Sequence, residues 1–131
     1  MNYSVEHIGL AARNTTALRD WYVRVLSANE IFCDEKKPPA YFLQLHDGTR
    51  LEIYYGTASR PETVDNRLAG WRHLALRVDS IETARDYLAA RGVIFTEPVK
   101  PAGGGGRVLF FQDPEGNLLH LVERSVDPML E

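Results

Sequence analysis

The sequence predicts an α+β fold in which one domain of 131 residues contains two β-α-β-β-β modules. Two observations predict it. An internal repeat runs along nearly the whole chain, and the same succession of strand and helix patterns occurs in each half. We expect residues 1–58 to form module one, residues 59–69 a linker, and residues 70–128 module two.

The repeat is visible when the sequence of the second half is aligned with that of the first. Residues 7–10 match residues 73–76 (both begin with histidine), residues 42–44 match residues 110–112, and Glu52 falls on His120. Each match is weak alone. Their common order along the chain indicates two homologous modules.

Module one begins with an apolar stretch over residues 5–11, which predicts a strand. Apolar residues then recur at helical spacing over residues 15–26, which predicts a helix capped by Asn14 or Thr15. Short apolar runs separated by turn signals, including one at residues 46–48, predict three further strands. These are expected at residues 30–33, 41–45 and 50–55.

Module two repeats this succession. A strand is predicted over residues 71–78, and a helix over residues 81–91 that ends at Gly92, because glycine tolerates the left-handed conformation of a helix end. A short strand and a hairpin with a turn containing proline and glycine follow. These three strands are expected at residues 93–95, 107–112 and 118–123.

Four polar residues share one position in this pattern. Each lies in a predicted strand between apolar neighbours, and strand side chains alternate between two faces. Because the apolar face should pack on the helix, each polar side chain is expected on the other face. The four are His7, Glu52, His73 and His120.

These residue types point to a metal site. Three of the four histidines of the chain occupy positions related by the repeat, whereas His46 lies in a predicted turn. A lone inward histidine is more often a core residue, but four such residues at equivalent positions are not independent. Imidazole and carboxylate are usual ligands of zinc, iron, nickel and manganese. Three imidazoles and one carboxylate around one divalent ion leave coordination positions open, as a catalytic site requires.

On these residues the sequence resembles the vicinal oxygen chelate superfamily, which includes glyoxalase I, extradiol dioxygenases, and fosfomycin- and bleomycin-resistance proteins. The resemblance implies that the mixed sheets of two βαβββ modules curl into a cup around the metal, with His7, Glu52 and His73 as ligands. The fourth ligand position of the family usually holds glutamate, and here it holds His120. The resemblance is carried by residues 7–11, 21–26, 47–52, 73–78 and 110–120.

The activity that the resemblance implies is that of a metal-dependent, glyoxalase-like lyase or isomerase. It would act on a small molecule with vicinal oxygens through an enolate or oxyanion, and Glu52 would carry the proton. Tyr54 is predicted on the Glu52 face and Trp71 on the His73 face. Arg107, which follows a glycine-rich stretch, could meet an anionic group, so these three are candidates for lining the substrate pocket.

Two other functions stay open. An iron-dependent dioxygenase is possible because a nitrogen-rich site with open positions suits iron(II) and oxygen. The second alternative is a non-catalytic protein that binds an antibiotic and thereby confers resistance.

The amino-acid composition indicates which classes of partner and which cellular compartment to expect. The net charge is −3 and no run of Lys or Arg occurs, which argues against nucleic acid and anionic membranes as partners. The first residues do not resemble a signal peptide, no apolar run is long enough for a membrane span, and the single cysteine cannot form an internal disulfide. We therefore expect a cytoplasmic protein, and the resemblance implies a homodimer.

Overall fold

The computed structural model describes residues 1–58 and 61–125. The chain divides into two compact units, Met1–Arg60 (unit 1) and Pro61–Glu131 (unit 2). Within the described residues each unit has a four-stranded mixed sheet and one α-helix, so the predicted α+β fold of two repeated modules is confirmed. Residues 59 and 60 of the predicted linker and residues 126–128 of the predicted second module lie outside the described residues. No helix in the described part of the chain is long and apolar enough to cross a membrane.

Unit 1 contains a sheet with the strand order β1-β4-β3-β2, in which β1 and β4 are parallel and the other pairs are antiparallel. The helix begins and ends where its apolar spacing predicted. The side chain of Asn14 accepts a hydrogen bond from the backbone N of Ala17 at 3.0 Å, which confirms Asn14 as the N-cap. The elements are β1 (Ile8–Ala12), α1 (Thr15–Leu26), β2 (Asn29–Cys33), β3 (Tyr41–Gln44) and β4 (Arg50–Tyr55).

The core of unit 1 lies between α1 and one face of the sheet. The apolar side of α1 supplies buried side chains, and alternate residues of β3 and β4 are buried as well. Burial of these apolar surfaces fixes which residues of β4 face the helix, so the remaining residues face the other way. The buried side chains include Leu18, Tyr22, Val25, Leu43, Leu51 and Ile53.

Unit 2 repeats this arrangement with the strand order β5-β8-β7-β6, in which β5 and β8 are parallel. A short 3-10 helix, Pro61–Val64, precedes it. The helix predicted over residues 81–91 ends two residues earlier, at Ala89, and Gly92 has the predicted positive φ, 92°. The elements are β5 (His73–Arg77), α2 (Ile81–Ala89), β6 (Lys100–Pro101), β7 (Arg107–Gln112) and β8 (Leu118–Glu123). Its buried side chains include Ile81, Leu88, Leu109, Leu119 and Leu121.

The strand predicted at residues 93–95 is wrong. The strand that pairs with β7 is Lys100–Pro101. The backbone N of Val93 instead donates to the carbonyl of Leu88 at the end of α2, and the ring of Phe95 packs on that of Phe111 with centroids 5.7 Å apart. The apolar pattern therefore reflected side-chain packing, whereas the backbone of this segment does not join the sheet.

Candidate metal centre

His7 and Glu52 meet on the face of the unit 1 sheet that does not pack on α1. Glu52 lies opposite Gly9 in the parallel pair of β1 and β4, and His7 is two residues before Gly9. Nε2 of His7 is 3.4 Å from Oε1 of Glu52, and the two side chains are 36% and 30% exposed. The sequence placed His7 inside the first strand, but β1 begins one residue later, at Ile8.

The separation of these two atoms fits two ligands of one ion. Metal–ligand distances for His nitrogen and carboxylate oxygen are about 2.0–2.1 Å, so ligand atoms at a tetrahedral angle are about 3.4 Å apart. At a right angle they are about 3.0 Å apart, with the same bond lengths. His7 and Glu52 therefore suit a divalent metal with little rearrangement.

His73 and His120 form the corresponding pair in unit 2. Ala75 lies opposite His120 just as Gly9 lies opposite Glu52, so the two sheets place these residues in the same register. The ring centroids of His73 and His120 are 4.7 Å apart, with the ring planes at 53°. Burial of His120 lowers the pKa of its imidazole, which favours the neutral form that binds a metal.

All three histidines direct Nδ1 at a hydrogen-bond acceptor. None of the three acceptor atoms carries a hydrogen, so Nδ1 donates and Nε2 of the neutral ring keeps its lone pair. Histidines that bind a metal usually donate from the other ring nitrogen in this way, because such a bond fixes the tautomer and the ring orientation. The bonds run from His7 to Glu6 Oε1 at 2.5 Å, from His73 to Asn66 Oδ1 at 2.8 Å, and from His120 to the Leu121 carbonyl at 3.1 Å.

In each pair, a phenylalanine ring contacts the histidine that lies near the start of the first strand of its unit. Phe42 of β3 lies opposite Glu52, and its ring meets that of His7 edge to face with centroids 5.3 Å apart. Phe110 of β7 holds the corresponding position and meets the ring of His73 in the same way, at 6.1 Å. Their match in the repeat was the signal that could have identified them as site residues.

The predicted pocket residues Tyr54 and Trp71 differ in their placement. Tyr54 lies on the Glu52 face of β4 and is 42% exposed. Its ring packs against Gly9, where an added Cβ would lie 3.2 Å from Tyr54 Cε1. The strand predicted over residues 71–78 begins only at His73, so Trp71 lies before β5 and is 99% exposed. Tyr54 is thus the one of these two that lies beside a candidate ligand.

Arg107 lies on the opposite face of the unit 2 sheet from His120. It sits opposite Glu123 in the antiparallel pair of β7 and β8, and donates to both Glu123 and Glu82 at 2.7–3.3 Å. These contacts lower the pKa of Glu82 to about 2. Glu123 also accepts a hydrogen bond from the backbone N of Ile81, at the start of α2. Arg107 therefore forms ion pairs on the face of the sheet that packs on α2, and the ligand pair of its own unit lies on the other face.

Each unit thus brings together two of the four predicted ligands. Among the described residues, no group of three or more His, Cys, Asp or Glu side chains is arranged to hold a metal ion. The exposed His46 lies in the turn before β4, as predicted.

Comparison with known proteins identifies relatives over nearly the whole chain. Residues 4–121 match the sequence model described as Glyoxalase/Bleomycin resistance protein/Dioxygenase superfamily. A glyoxalase family protein from Enterococcus faecalis is 28% identical, with a TM-score of 0.78 over 92% of this chain and 97% of that one. The fosfomycin resistance protein FosX from Listeria monocytogenes is 20% identical, with a TM-score of 0.74 over 100% and 98%. None of the curated protein sequences matches.

Proposed function

Because the chain belongs to the glyoxalase, bleomycin resistance protein and dioxygenase superfamily, we propose that it is a metal-dependent enzyme acting on a small molecule with two adjacent oxygen atoms. His7, Glu52, His73 and His120 would hold one divalent ion, which is nickel, zinc, iron or manganese. The observation that carries the proposal is the pairing of a histidine with a second ligand-type side chain at the same register in each unit. FosX, crystallised with Mn(II), supports a divalent metal.

The reaction proposed is that of a glyoxalase-like lyase or isomerase. When bound, the ion would act as a Lewis acid toward the two substrate oxygens. Glu52 is the one carboxylate of the ligand set, and its side chain remains partly exposed. We assign it the transfer of the proton: it accepts a proton from a carbon next to a carbonyl and returns it to the neighbouring carbon or oxygen.

The charge of the ligand set supports this chemistry. Three neutral imidazoles and one carboxylate carry a total charge of −1, which leaves a net positive charge on the site when a divalent ion is bound. A set with two carboxylates would neutralise the ion. The site proposed here therefore stabilises negative charge that develops on the substrate oxygens. Burial lowers the pKa of His120, which favours its neutral form. The hydrogen bond to Glu6 raises the pKa of His7, so a bound ion would displace the proton from that ring.

The nitrogen-rich ligand set also supports the second candidate, an iron-dependent dioxygenase. Histidines combined with one carboxylate are the set that many non-haem iron(II) oxygenases use. Oxygen uptake by the iron-loaded protein with a catechol would favour this candidate. Exchange of a substrate C–H proton with solvent, without oxygen uptake, would favour the lyase or isomerase.

Metal analysis tests the proposal. The protein is purified without chelators or a histidine tag, and its metals are measured by elemental mass spectrometry beside four alanine variants of the proposed ligands. We expect about one ion per chain, bound by the wild type and by His46→Ala, which removes a histidine from an exposed turn. The ligand variants should lose most of it. Absence of a bound ion in the wild type, after reconstitution with each of the four metals, would contradict the enzyme proposal and leave the antibiotic-binding alternative.

A homodimer is the assembly we propose. Proteins of this superfamily commonly form dimers, and light scattering measures the mass directly. A mass of twice the 14.8 kDa of the chain agrees with the proposal, and a mass of one chain contradicts it.

A further inference from the structure

Asn66 lies in the segment between the short 3-10 helix and β5, seven residues before the histidine that it contacts. Its Oδ1 accepts a hydrogen bond of 2.8 Å from Nδ1 of His73. Asp65, the preceding residue, holds the turn: its carboxylate accepts from the backbone N of Arg67 at 3.0 Å, and its carbonyl from the backbone N of Leu68 at 3.3 Å. The turn therefore presents the Asn66 amide to the imidazole from outside the sheet.

This contact decides which nitrogen of His73 is free. The amide oxygen has no hydrogen, so Nδ1 must carry the ring proton, and Nε2 is left with its lone pair. An imidazole in water without such a partner carries its proton mainly on Nε2. Without Asn66, the nitrogen that is free to bind a metal would mainly be Nδ1.

The other two histidines differ from His73 in the source of their acceptor. His120 uses the carbonyl of the next residue in the chain, and His7 uses the carboxylate of the residue before it. Both of those acceptors are therefore neighbours in the sequence. Only the acceptor of His73 comes from a separate loop, so its position depends on how that loop folds.

We propose that Asn66 is a positioning residue that fixes Nε2 as the metal-binding atom of His73. This rests on the proposed function to the extent that His73 is a ligand. The edge-to-face ring of Phe110 and the ring of His120 restrain the imidazole plane. Ring packing does not determine which nitrogen of His73 carries the proton, and the hydrogen bond to Asn66 does.

The first test uses the metal-free protein, so it is independent of metal binding. Long-range ¹H–¹⁵N spectra of the histidine rings distinguish the two tautomers. We expect the proton of neutral His73 on Nδ1 in the wild type and largely on Nε2 in Asn66→Ala. Asn66→Asp keeps an acceptor and should restore the Nδ1–H form. Arg67→Ala, in the same turn but with a side chain 91% exposed, is the matched control and should leave His73 unchanged.

The second test is Zn²⁺ affinity, measured by competition with a chromogenic chelator. Loss of a partner that orients a ligand typically costs about 10–100-fold in metal affinity, so Asn66→Ala should bind more weakly by that factor. Asn66→Asp and Arg67→Ala should stay close to the wild type.

Three outcomes would overturn the inference. They are a proton on Nε2 in the wild type, an unchanged tautomer in Asn66→Ala, and a changed tautomer with no change in Zn²⁺ affinity. A wild-type protein that binds no ion would instead refute the proposed function, and the tautomer spectra separate that failure from the other three.

Discussion

The Nε2 atom of His7 lies 3.4 Å from Oε1 of Glu52, although 44 residues separate the two in the sequence. The parallel pairing of β1 with β4 produces this approach, since it sets Glu52 opposite Gly9 and so beside the residue two positions before it. Unit 2 reproduces the register with His120. The same supersecondary arrangement thus produces one candidate ligand pair in each unit.

The Glu52→Gln variant tests the role of the carboxylate. The substitution keeps the shape of the side chain but removes the charge of a direct ligand. We therefore expect Zn²⁺ affinity to fall by more than the about 10–100-fold that loss of a ligand-orienting partner costs. The fold should be retained because the side chain is partly exposed. Glu30→Gln, in which the altered carboxylate pairs with Arg19 away from the histidines, is the control. Equal affinity in Glu52→Gln and the wild type would exclude Glu52 as a ligand.

The titration of His7 in the metal-free protein tests the geometry around its ring. The hydrogen bond to Glu6 is the main cause that raises the pKa of His7, and Glu52 contributes less. Removing either carboxylate should therefore lower the pKa, and Glu6→Gln should lower it more than Glu52→Gln. A pH titration followed by NMR measures both. The reverse order of the two variants would contradict the contacts described for this histidine.

Acid stability should depend on the ion pairs of Arg107. The pKa of Glu82 is about 2 in the folded protein, against an ordinary value of 4.5, and that of Glu123 is also lowered. Because both pKa values fall on folding, these groups stabilise the protein above about pH 4.5, and the stabilisation is lost as the pH falls toward 2. Arg107→Met should consequently unfold at a higher pH during acid titration.

Circular dichroism against pH measures this shift. Lys100→Met removes a single ion pair with Glu97, whereas Arg107 pairs with two carboxylates, so Lys100→Met serves as the control. Because a single exposed pair contributes little, its acid transition should stay close to that of the wild type. Equal transitions in Arg107→Met and Lys100→Met would show that the Arg107 contacts do not stabilise the fold.

Two glycines in the loop before β7 should respond differently to alanine. Both have a positive φ, +94° at Gly105 and +90° at Gly106, so each substitution carries a backbone cost of about 1–2 kcal/mol. A Cβ at Gly105 would meet nothing within 4 Å, whereas one at Gly106 would lie 2.1 Å from the carbonyl oxygen of Glu123. Gly106→Ala should therefore lose clearly more stability in urea unfolding. Similar losses for the two variants would contradict the close approach of this loop to the end of β8.

Much of the fold followed from side-chain periodicity, because burial on one face leaves a regular pattern. The helix α1 and the strands β4, β7 and β8 have the predicted bounds, since each carries several buried apolar residues. The strand β6 has only Lys100 and Pro101, which are exposed, so no apolar pattern marks it. This strand forms because it pairs with β7, and such a pairing cannot be predicted from the local sequence of β6.

The candidate ligands could be predicted from the sequence, whereas their hydrogen-bond partners could not. The repeat marks His7, Glu52, His73 and His120, because equivalent positions in two modules share a register. Nothing in the repeat marks Asn66, whose contact with His73 depends on the turn that follows the short 3-10 helix. A sequence-adjacent acceptor, such as Glu6 beside His7, depends on side-chain rotation that the pattern does not encode.

The proposed function requires that three imidazoles and one carboxylate of this chain hold one ion. X-ray absorption spectroscopy of the Zn²⁺-loaded protein, with one equivalent of metal added, tests it most directly. The proposed site predicts about three imidazole nitrogens and carboxylate oxygen at about 2.0–2.2 Å. It also predicts one fewer imidazole in His120→Ala and an unchanged spectrum in His46→Ala. A wild-type spectrum with two or fewer imidazoles, or a second ion bound with equal affinity, would contradict a single four-residue site.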